Sequence, residues 1–428
     1  MIPDIGAAST PDKPNLPDEF WDARESLARI RQAAHSRHRP ADAVLHIVLA
    51  RLAAMLDPVR LDTGVGSVAS LNYFAAVIGA PGSGKSDAWS IACELYPAPA
   101  QSESWFADNQ PLGTGEGLAE IYMGTEQLPS TGKGKPLFVR KQVRRHAFVF
   151  ADEGEALTRH LERAGATVGE SLRRAWKGVP LGQRNAAAEH TRHVVNYSLG
   201  LAIGFQPSTV GPLLADVASG TPQRFIFASA YDPSIPDTPV PWPEPRVWWS
   251  QYAEEAEWSL DAAVREEISA IDLGIVQGRI VFEPYDAHAM LSRVKVAGLL
   301  AALEQRKRIS REDWDLSLLI WKASRAVRGE QLALSAEEQR LKALAGHQGA
   351  AQRELTIEEA KERRTLDRAV ETVVRHVLRK GCEGGCKRRC LQQAMSSGAR
   401  AVVTIDVVLE EAVRRRRLVA DGDAYRVA

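Results

Sequence analysis

Apolar residues recur along this chain in two periods, and the changes of period mark its elements. Residues 18–36 (DEFWDARESLARIRQAAHS) and 41–56 (ADAVLHIVLARLAAML) carry apolar side chains three and four apart, as on a helix face. Asp18 and Pro40 stand where helix starts favour them. Residues 70–80 (SLNYFAAVIGA) are almost continuously apolar, the pattern of a strand buried on both faces. A Gly-rich turn follows, and 86–96 (SDAWSIACELY) returns to helical spacing. Residues 96–135 are rich in Pro, Gly and Ser and read as loops with one short helix near 117–123. Residues 137–153 (LFVRKQVRRHAFVFADE) read as strand, basic turn, strand, and 194–205 and 224–230 as two further apolar strands. Strands interleaved with helices predict an α/β fold with a parallel sheet.

Six prolines between 232 and 246 exclude helix and central strand there and predict a rigid linker. Helical spacing resumes over 258–350. The last segment predicts short helices, then LVADGDAYRVA (418–428) as strand, Asp-Gly turn, strand, together a winged-helix module. The expected organisation is a disordered leader (1–17), an N-terminal helical segment (18–66), an α/β core (67–231), a Pro/Trp-rich linker (232–256), a helical domain (257–350), a second linker (351–364) and the winged helix (365–428).

Length and composition narrow the class. A chain of 428 residues allows roughly two to four domains. With 45% hydrophobic and 25% charged residues it is neither disordered nor fibrous. No apolar run reaches the roughly 18–20 residues of a membrane span. The acidic, Pro-rich start lacks the pattern of a signal peptide, so a cytosolic protein without a membrane partner is expected. Four cysteines make no disulfide framework, which agrees with a reducing compartment. The net charge of zero hides an asymmetry: residues 361–428 hold 16 Lys+Arg and 9 Asp+Glu, so +7, which leaves −7 for the rest. A basic module on an acidic body predicts nucleic-acid contact by the tail; the alternative is a solvated helix surface.

The strongest chemical signal is Gly79-Ala-Pro81-Gly82-Ser83-Gly84-Lys85-Ser86, a full G-x-x-x-x-G-K-[ST] between a strand and a helix. Its glycines let backbone N–H groups turn around a phosphate, and the helix start adds positive potential, with Asp87 completing the loop. Lys85 is expected on the β- and γ-phosphates and Ser86 on Mg²⁺. The apolar strand ending in Asp152-Glu153 supplies the other half. Asp152 would hold the Mg²⁺ shell, and Glu153 would orient and deprotonate the attacking water; a helix cap after a strand is the alternative. Gln206 ends an apolar strand, as a γ-phosphate sensor or as a turn residue before Pro207. Arg224 starts a strand, as an arginine finger for a neighbouring subunit or as a surface arginine. Glu116 is the second choice of catalytic acid and more readily a helix cap.

In their order, APGSGKS, GTGEGLAE, FVFADE, LRRAWKGVPLG, GFQP and GTPQRF resemble the replicative P-loop ATPases of actinobacterial phages, prophages and plasmids. Those are similar to the helicase halves fused elsewhere to primase–polymerase modules. The resemblance runs on through DAHAMLSRVKVAGLLAAL and RISREDWDLSLLIWKAS to CKRRCLQQAMSS, so it covers about residues 40–428. It implies a RecA-like or AAA+-like core, a homo-oligomeric, hexameric ring, a bacterial host cytosol and work on single-stranded or duplex origin DNA. Lys85, Ser86, Asp152, Glu153, Gln206 and Arg224 sit on the matching positions. A primase–polymerase becomes a possible partner, while this chain lacks that domain and priming is not implied. The expected function is an ATP-hydrolysing DNA motor; the alternative is an ATP-switched origin initiator or helicase loader.

The helical segment 285–325 resembles an AAA+ lid, which brings Arg293 and less readily Lys295 toward the γ-phosphate; the alternative is that both are solvated. The basic turn with Arg140, Lys141, Arg144 and Arg145 projects toward a ring pore or is simply an exposed charged hairpin. In the tail, Cys382, Cys386, Cys390 and His376 offer a possible zinc set, but small buried thiols fit the C-x₃-C-x₃-C spacing better. Lys387, Arg388, Arg389, Arg414, Arg415, Arg416, Arg417 and Arg426 are the candidate DNA contacts; protein docking is the alternative use of such a module.

Overall fold

In the computed structural model the chain divides into two units, Met1–Ser335 and Ala336–Ala428. The structure describes residues 13–100, 102–128, 137–161, 167–182, 192–244, 257–380 and 385–428. The first unit is α/β and is built on five parallel strands: β1 (Tyr73–Ile78), β2 (Phe106–Gln110), β3 (His146–Ala151), β4 (Ser198–Phe205) and β5 (Phe225–Ser229). Their order across the sheet is β2-β3-β4-β1-β5. Every residue of the central strands β1 and β4 is buried, which is why both read as unbroken apolar runs. The edge strand β2 (FADNQ) buries only Phe106 and Ala107. Its polar second half carries no strand signal, so the sequence places it among loops.

Helices α1 (Glu25–Ser36) and α2 (Ala41–Met55) precede the sheet, and α2 lies against β4 with all its residues buried. A helix apolar all round belongs between layers. The polar exceptions on α2 have partners: His46 Nδ1 lies 2.6 Å from Tyr73 Oη, Asp42 accepts from Leu16 N–H, and Arg51 donates to Asp108 at 2.6 and 2.9 Å. Helices α3 (Lys85–Leu95) and α4 (Val168–Lys177) follow β1 and precede β4. A further helix, α5 (Ala289–Leu303), also packs on α2 and is almost wholly buried. The segments expected as a separate N-terminal piece and a separate lid therefore belong to the same compact unit as the sheet, at least through residue 335.

This burial overturns the expectations for Arg293 and Lys295. Arg293 lies 3.7 Å over the Trp314 ring and donates to Trp314 O. Lys295 donates to the carbonyls of Ser70, Asn72 and Trp176 at 2.5, 3.2 and 2.7 Å. Neither side chain is solvated, and neither reaches the phosphate loop.

Other boundaries shift for similar long-range reasons. Helix does not begin at Trp258: Glu257–Leu260 is a strand pairing in parallel with Arg60–Asp62 and Arg308–Ile309. Residues 13–17 of the expected leader are held, with Leu16 buried and Asn15 donating to Tyr231 O; residues 1–12 lie outside the described residues. The start of the Pro-rich segment is fixed where Asp232 accepts from Ala41 N–H and faces His35. Arg140 and Lys141 lie within a strand, Leu137–Gln142, that pairs antiparallel with Met123–Leu128. They form ion pairs with Glu120 and Glu126, so the basic turn shrinks to residues 143–145, with Arg144 half-buried and Arg145 exposed.

Helix α6 (Arg311–Lys380) runs unbroken from the first unit into the second, so the expected linker 351–364 is helical. The second unit adds helices Arg388–Ala394, Ser397–Val402 and Ile405–Arg414 and an antiparallel sheet of Cys386–Lys387, Ala424–Val427 and Leu418–Asp421. Val373, Leu391, Val408, Leu409 and Leu418 form its core. Among the described residues no helix is long and apolar enough to cross a membrane.

Burial pushes the Asp42 carboxyl from 3.8 up to about 7; the Leu16 N–H opposes this and the Asp232 charge adds to it. The folded chain therefore favours the protonated form. Its contribution to stability is complete below the ordinary carboxyl range and is lost as pH rises toward 7. Asp42→Asn should melt above wild type at pH 8 by on the order of 2–4 kcal/mol, and level with it at pH 4. Thermal unfolding across pH reads this difference; one that does not change with pH contradicts it.

Candidate functional site

In an open parallel sheet, ligands are held beyond the carboxyl ends of the strands, where the connections diverge. At that end of β1, β3 and β4 the structure has a cleft of about 290 Å³. Residues 81–87 line one side, Asp152, Glu153 and Gly154 another, and Gln206 and Thr209 the end of β4. The Gly79–Gly84 segment runs as a loop from β1 into a helix: Gly84 N-caps α3, and Lys85 and Ser86 begin that helix. Ser86 Oγ donates to Asp152 Oδ2 at 2.7 Å. This bond spans two loops whose strands are not neighbours, because β4 lies between β1 and β3. Gly204 near the end of β4 makes the approach possible. A Cβ there would stand 2.4 Å from Asp152 O and 3.3 Å from Lys85 Cδ.

Lys85 Nζ donates to Gly79 O at 2.9 Å and Ala80 O at 3.0 Å, and lies 3.3 Å from Ser83 Oγ. Partial burial lowers its pKa, while the charges of Asp152 and Glu153 act to raise it. The ammonium is thus held at the mouth of the loop with two carboxylates near. A serine hydroxyl bonded to a carboxylate is a hard-oxygen set of the kind that takes Mg²⁺ beside phosphates.

One residue of this site has no signal in the sequence. Arg39, just before α2, donates from Nε to Asp87 Oδ2 at 2.7 Å, and its stem crosses Gly84. A Cβ on Gly84, whose φ is +83°, would lie 2.5 Å from Arg39 Cδ. Asp87 thus stands beside the Gly-rich loop with its charge matched by an arginine 48 residues away in sequence.

The remaining candidates are elsewhere. Glu116 lies in the first turn of the helix Gly115–Glu120, 3.7 Å from Arg192, and does not line the cleft; Thr114 caps that helix. Arg224 is buried at 8% exposure, donates to Gly220 O, and lies 5.5 Å over the Trp176 ring. Burial, and then the charge of Arg173, pull its pKa down to about 10. In this chain the guanidinium turns inward onto Trp176 and Gly220, which fits neither the surface arginine nor an outward-reaching finger.

In the second unit, Cys386 is buried in the core, and Cys390 Sγ lies 3.4 Å from both His376 Nε2 and Lys380 Nζ. Cys382 lies outside the described residues. Among the described residues no group of three or more metal-ligating side chains forms, and the Lys380 ammonium stands beside Cys390; the set as proposed includes Cys382 and so falls partly outside the described residues. Several tail arginines are ion-paired within their own unit: Arg388 with Asp406, Arg414 and Arg415 with Glu411, Arg417 with Glu371, and Arg426 with Asp421. Lys387, Arg389 and Arg416 have no ion-pair partner among the described residues.

No known protein-family model matches the chain, and no curated protein matches it.

Arg224→Ala should act through stability, with a loss of about 1–3 kcal/mol from the emptied contact with Trp176 and Gly220. Mixing it with Lys85→Ala should restore no turnover. Chemical denaturation and mixed-variant ATPase assays check this; rescue in mixtures would reinstate the finger.

Proposed function

We propose that this chain is a P-loop ATPase of the RecA-like or AAA+-like kind, and that it works as a DNA motor in phage- or plasmid-type replication. The observation that carries the reading is the Ser86–Asp152 hydrogen bond beside Lys85, at the carboxyl end of a parallel sheet. Its order places one strand between the two that supply the site. Lys85 would bind the outer phosphates of ATP, with the N–H groups of residues 82–86 around them. Mg²⁺, held by Ser86 and Asp152, would neutralise charge on the phosphate oxygens. Glu153 stands one residue past Asp152 in the same cleft and would take the proton of the attacking water, while Gln206 at the end of β4 would orient it. Arg39 would offset Asp87 and leave the loop positive toward the incoming phosphates.

The second unit supports the nucleic-acid part of the reading. Its three short helices and terminal hairpin follow the order of a winged helix, with Ile405–Arg414 in the place of the recognition helix. A hexameric ring and a primase–polymerase partner remain part of the proposal through the resemblance alone.

A specific observation favours a second reading as well. Arg224 is buried, so the residue expected to complete a neighbour's site does not reach outward. An initiator or loader, in which ATP sets assembly and turnover is slow, needs no such residue. Strand displacement on a forked substrate separates the two.

Lys85→Ala should abolish hydrolysis and weaken ATP binding, and Glu153→Gln should keep ATP bound while turnover falls by about 10²-fold or more. Arg39→Ala should weaken ATP binding roughly tenfold by leaving Asp87 unmatched, and Asp87→Asn in the same chain should recover much of that loss. Fluorescent-nucleotide titration and phosphate release measure these effects. Near wild-type turnover in Glu153→Gln places the base elsewhere.

A further inference from the structure

At the amino end of the sheet, opposite the phosphate loop, lies a second cleft of about 270 Å³. Arg60, Arg145 and Lys177 line it, together with Asn196 and Tyr197 just before β4. Arg145 immediately precedes β3, Lys177 ends α4, and Arg60 opens the small sheet, so three separate elements bring cations to one concavity. Among the described residues neither Arg145 nor Lys177 has an ion-pair partner, and both are exposed. Arg60 is loosely paired with Glu257 at 3.6 Å. The lining carboxylate, Asp57, lies 3.3 Å from His146 Nε2. These cations sit together in a body whose net charge is −7 through residue 360.

The carboxyl end of a helix would ordinarily repel an anion, and α4 ends at this cleft. Here its last carbonyls are already taken. Asn72 Nδ2 donates to Ala175 O at 2.7 Å, Gly178 N–H to Arg174 O, and buried Lys295 to Trp176 O. Lys295 Nζ meets three backbone carbonyls, those of Ser70, Asn72 and Trp176, and Ser70 forms part of the cleft wall. The last carbonyls of the helix are thereby satisfied from beneath, and three of the side chains that line the cleft are cationic against one carboxylate, Asp57.

We infer that this cleft binds phosphates of a single nucleic-acid strand, through Arg145 and Lys177 with Arg60 at its rim. Arginine forks and lysine ammonium groups are the usual donors to phosphodiester oxygens. A flexible strand can follow a concave wall that a stiff duplex cannot enter. The inference rests on the nucleic-acid half of the proposed function and is independent of the nucleotide site.

The test is fluorescence anisotropy of a labelled oligo-dT with the full-length chain across a salt series. Arg145→Gln with Lys177→Gln should weaken binding about tenfold at moderate salt. It should also reduce the salt slope by about 1.4, since each single-strand phosphate contact contributes about 0.7. Glu257→Gln frees Arg60 and should tighten binding severalfold. Thermal unfolding confirms that each variant is folded. Unchanged affinity and slope in the double variant, with wild type binding the strand, overturn the cleft alone and leave the tail as the strand site. No binding by wild type overturns the nucleic-acid reading and the cleft with it. Binding of inorganic tripolyphosphate through Arg145 and Lys177 without any strand binding makes this a small-anion site and overturns the proposal.

Discussion

Ser86 and Asp152 meet across the end of a strand that belongs to neither of them. The sheet order separates β1 from β3 by β4, so the two loops can touch only where β4 presents no side chain, and Gly204 provides that gap. The rest of the site follows from this contact. Lys85 is set one residue before Ser86, Glu153 one residue after Asp152, and Gln206 two residues beyond Gly204. A side chain at 204 would separate the two halves even if every residue of the phosphate loop were kept.

The sheet is held in place by a buried layer in which several ionisable side chains have partners, while burial holds Asp42 and His46 toward their neutral forms. Helix α2 is enclosed, yet it contains Asp42, His46 and Arg51, and α5 contributes Arg293 and Lys295. Removing a buried ion from water costs several kcal/mol unless partners replace the water. Arg51 has a bidentate carboxylate, Lys295 three carbonyls, and Arg293 an aromatic face with one carbonyl. Several of these bonds join segments more than a hundred residues apart, so they fix the position of α5 on the sheet as well as offsetting desolvation. His46, with no such charge partner, is instead kept neutral, its pKa pulled down to about 3 by burial.

Sequence reading found what is local. The phosphate loop is one continuous motif, and four of the five core strands are apolar enough to be seen from their own residues. Asp152 and Glu153 were legible because they end such a strand. The edge strand β2 was not, since half of it faces away from the core. Arg224 and Lys295 were misplaced because a cation's environment depends on which distant residues surround it. Trp176 lies against both, far away in sequence and adjacent in space. Arg39 was missed for the same reason, its carboxylate partner lying 48 residues on, in the first turn of α3. The tail charge of +7 was counted correctly, but the count could not reveal that several arginines are ion-paired within their own unit.

The central claim is that Ser86 and Asp152 form the metal-holding half of a nucleotide site. Calorimetric titration of ATP into the full-length chain, with Mg²⁺ and with a chelator, tests it most directly. The account predicts binding that is tighter with Mg²⁺ in wild type, and an advantage from Mg²⁺ that largely disappears in Asp152→Ala. Binding equally tight with and without Mg²⁺, or no binding of ATP at all, would contradict it.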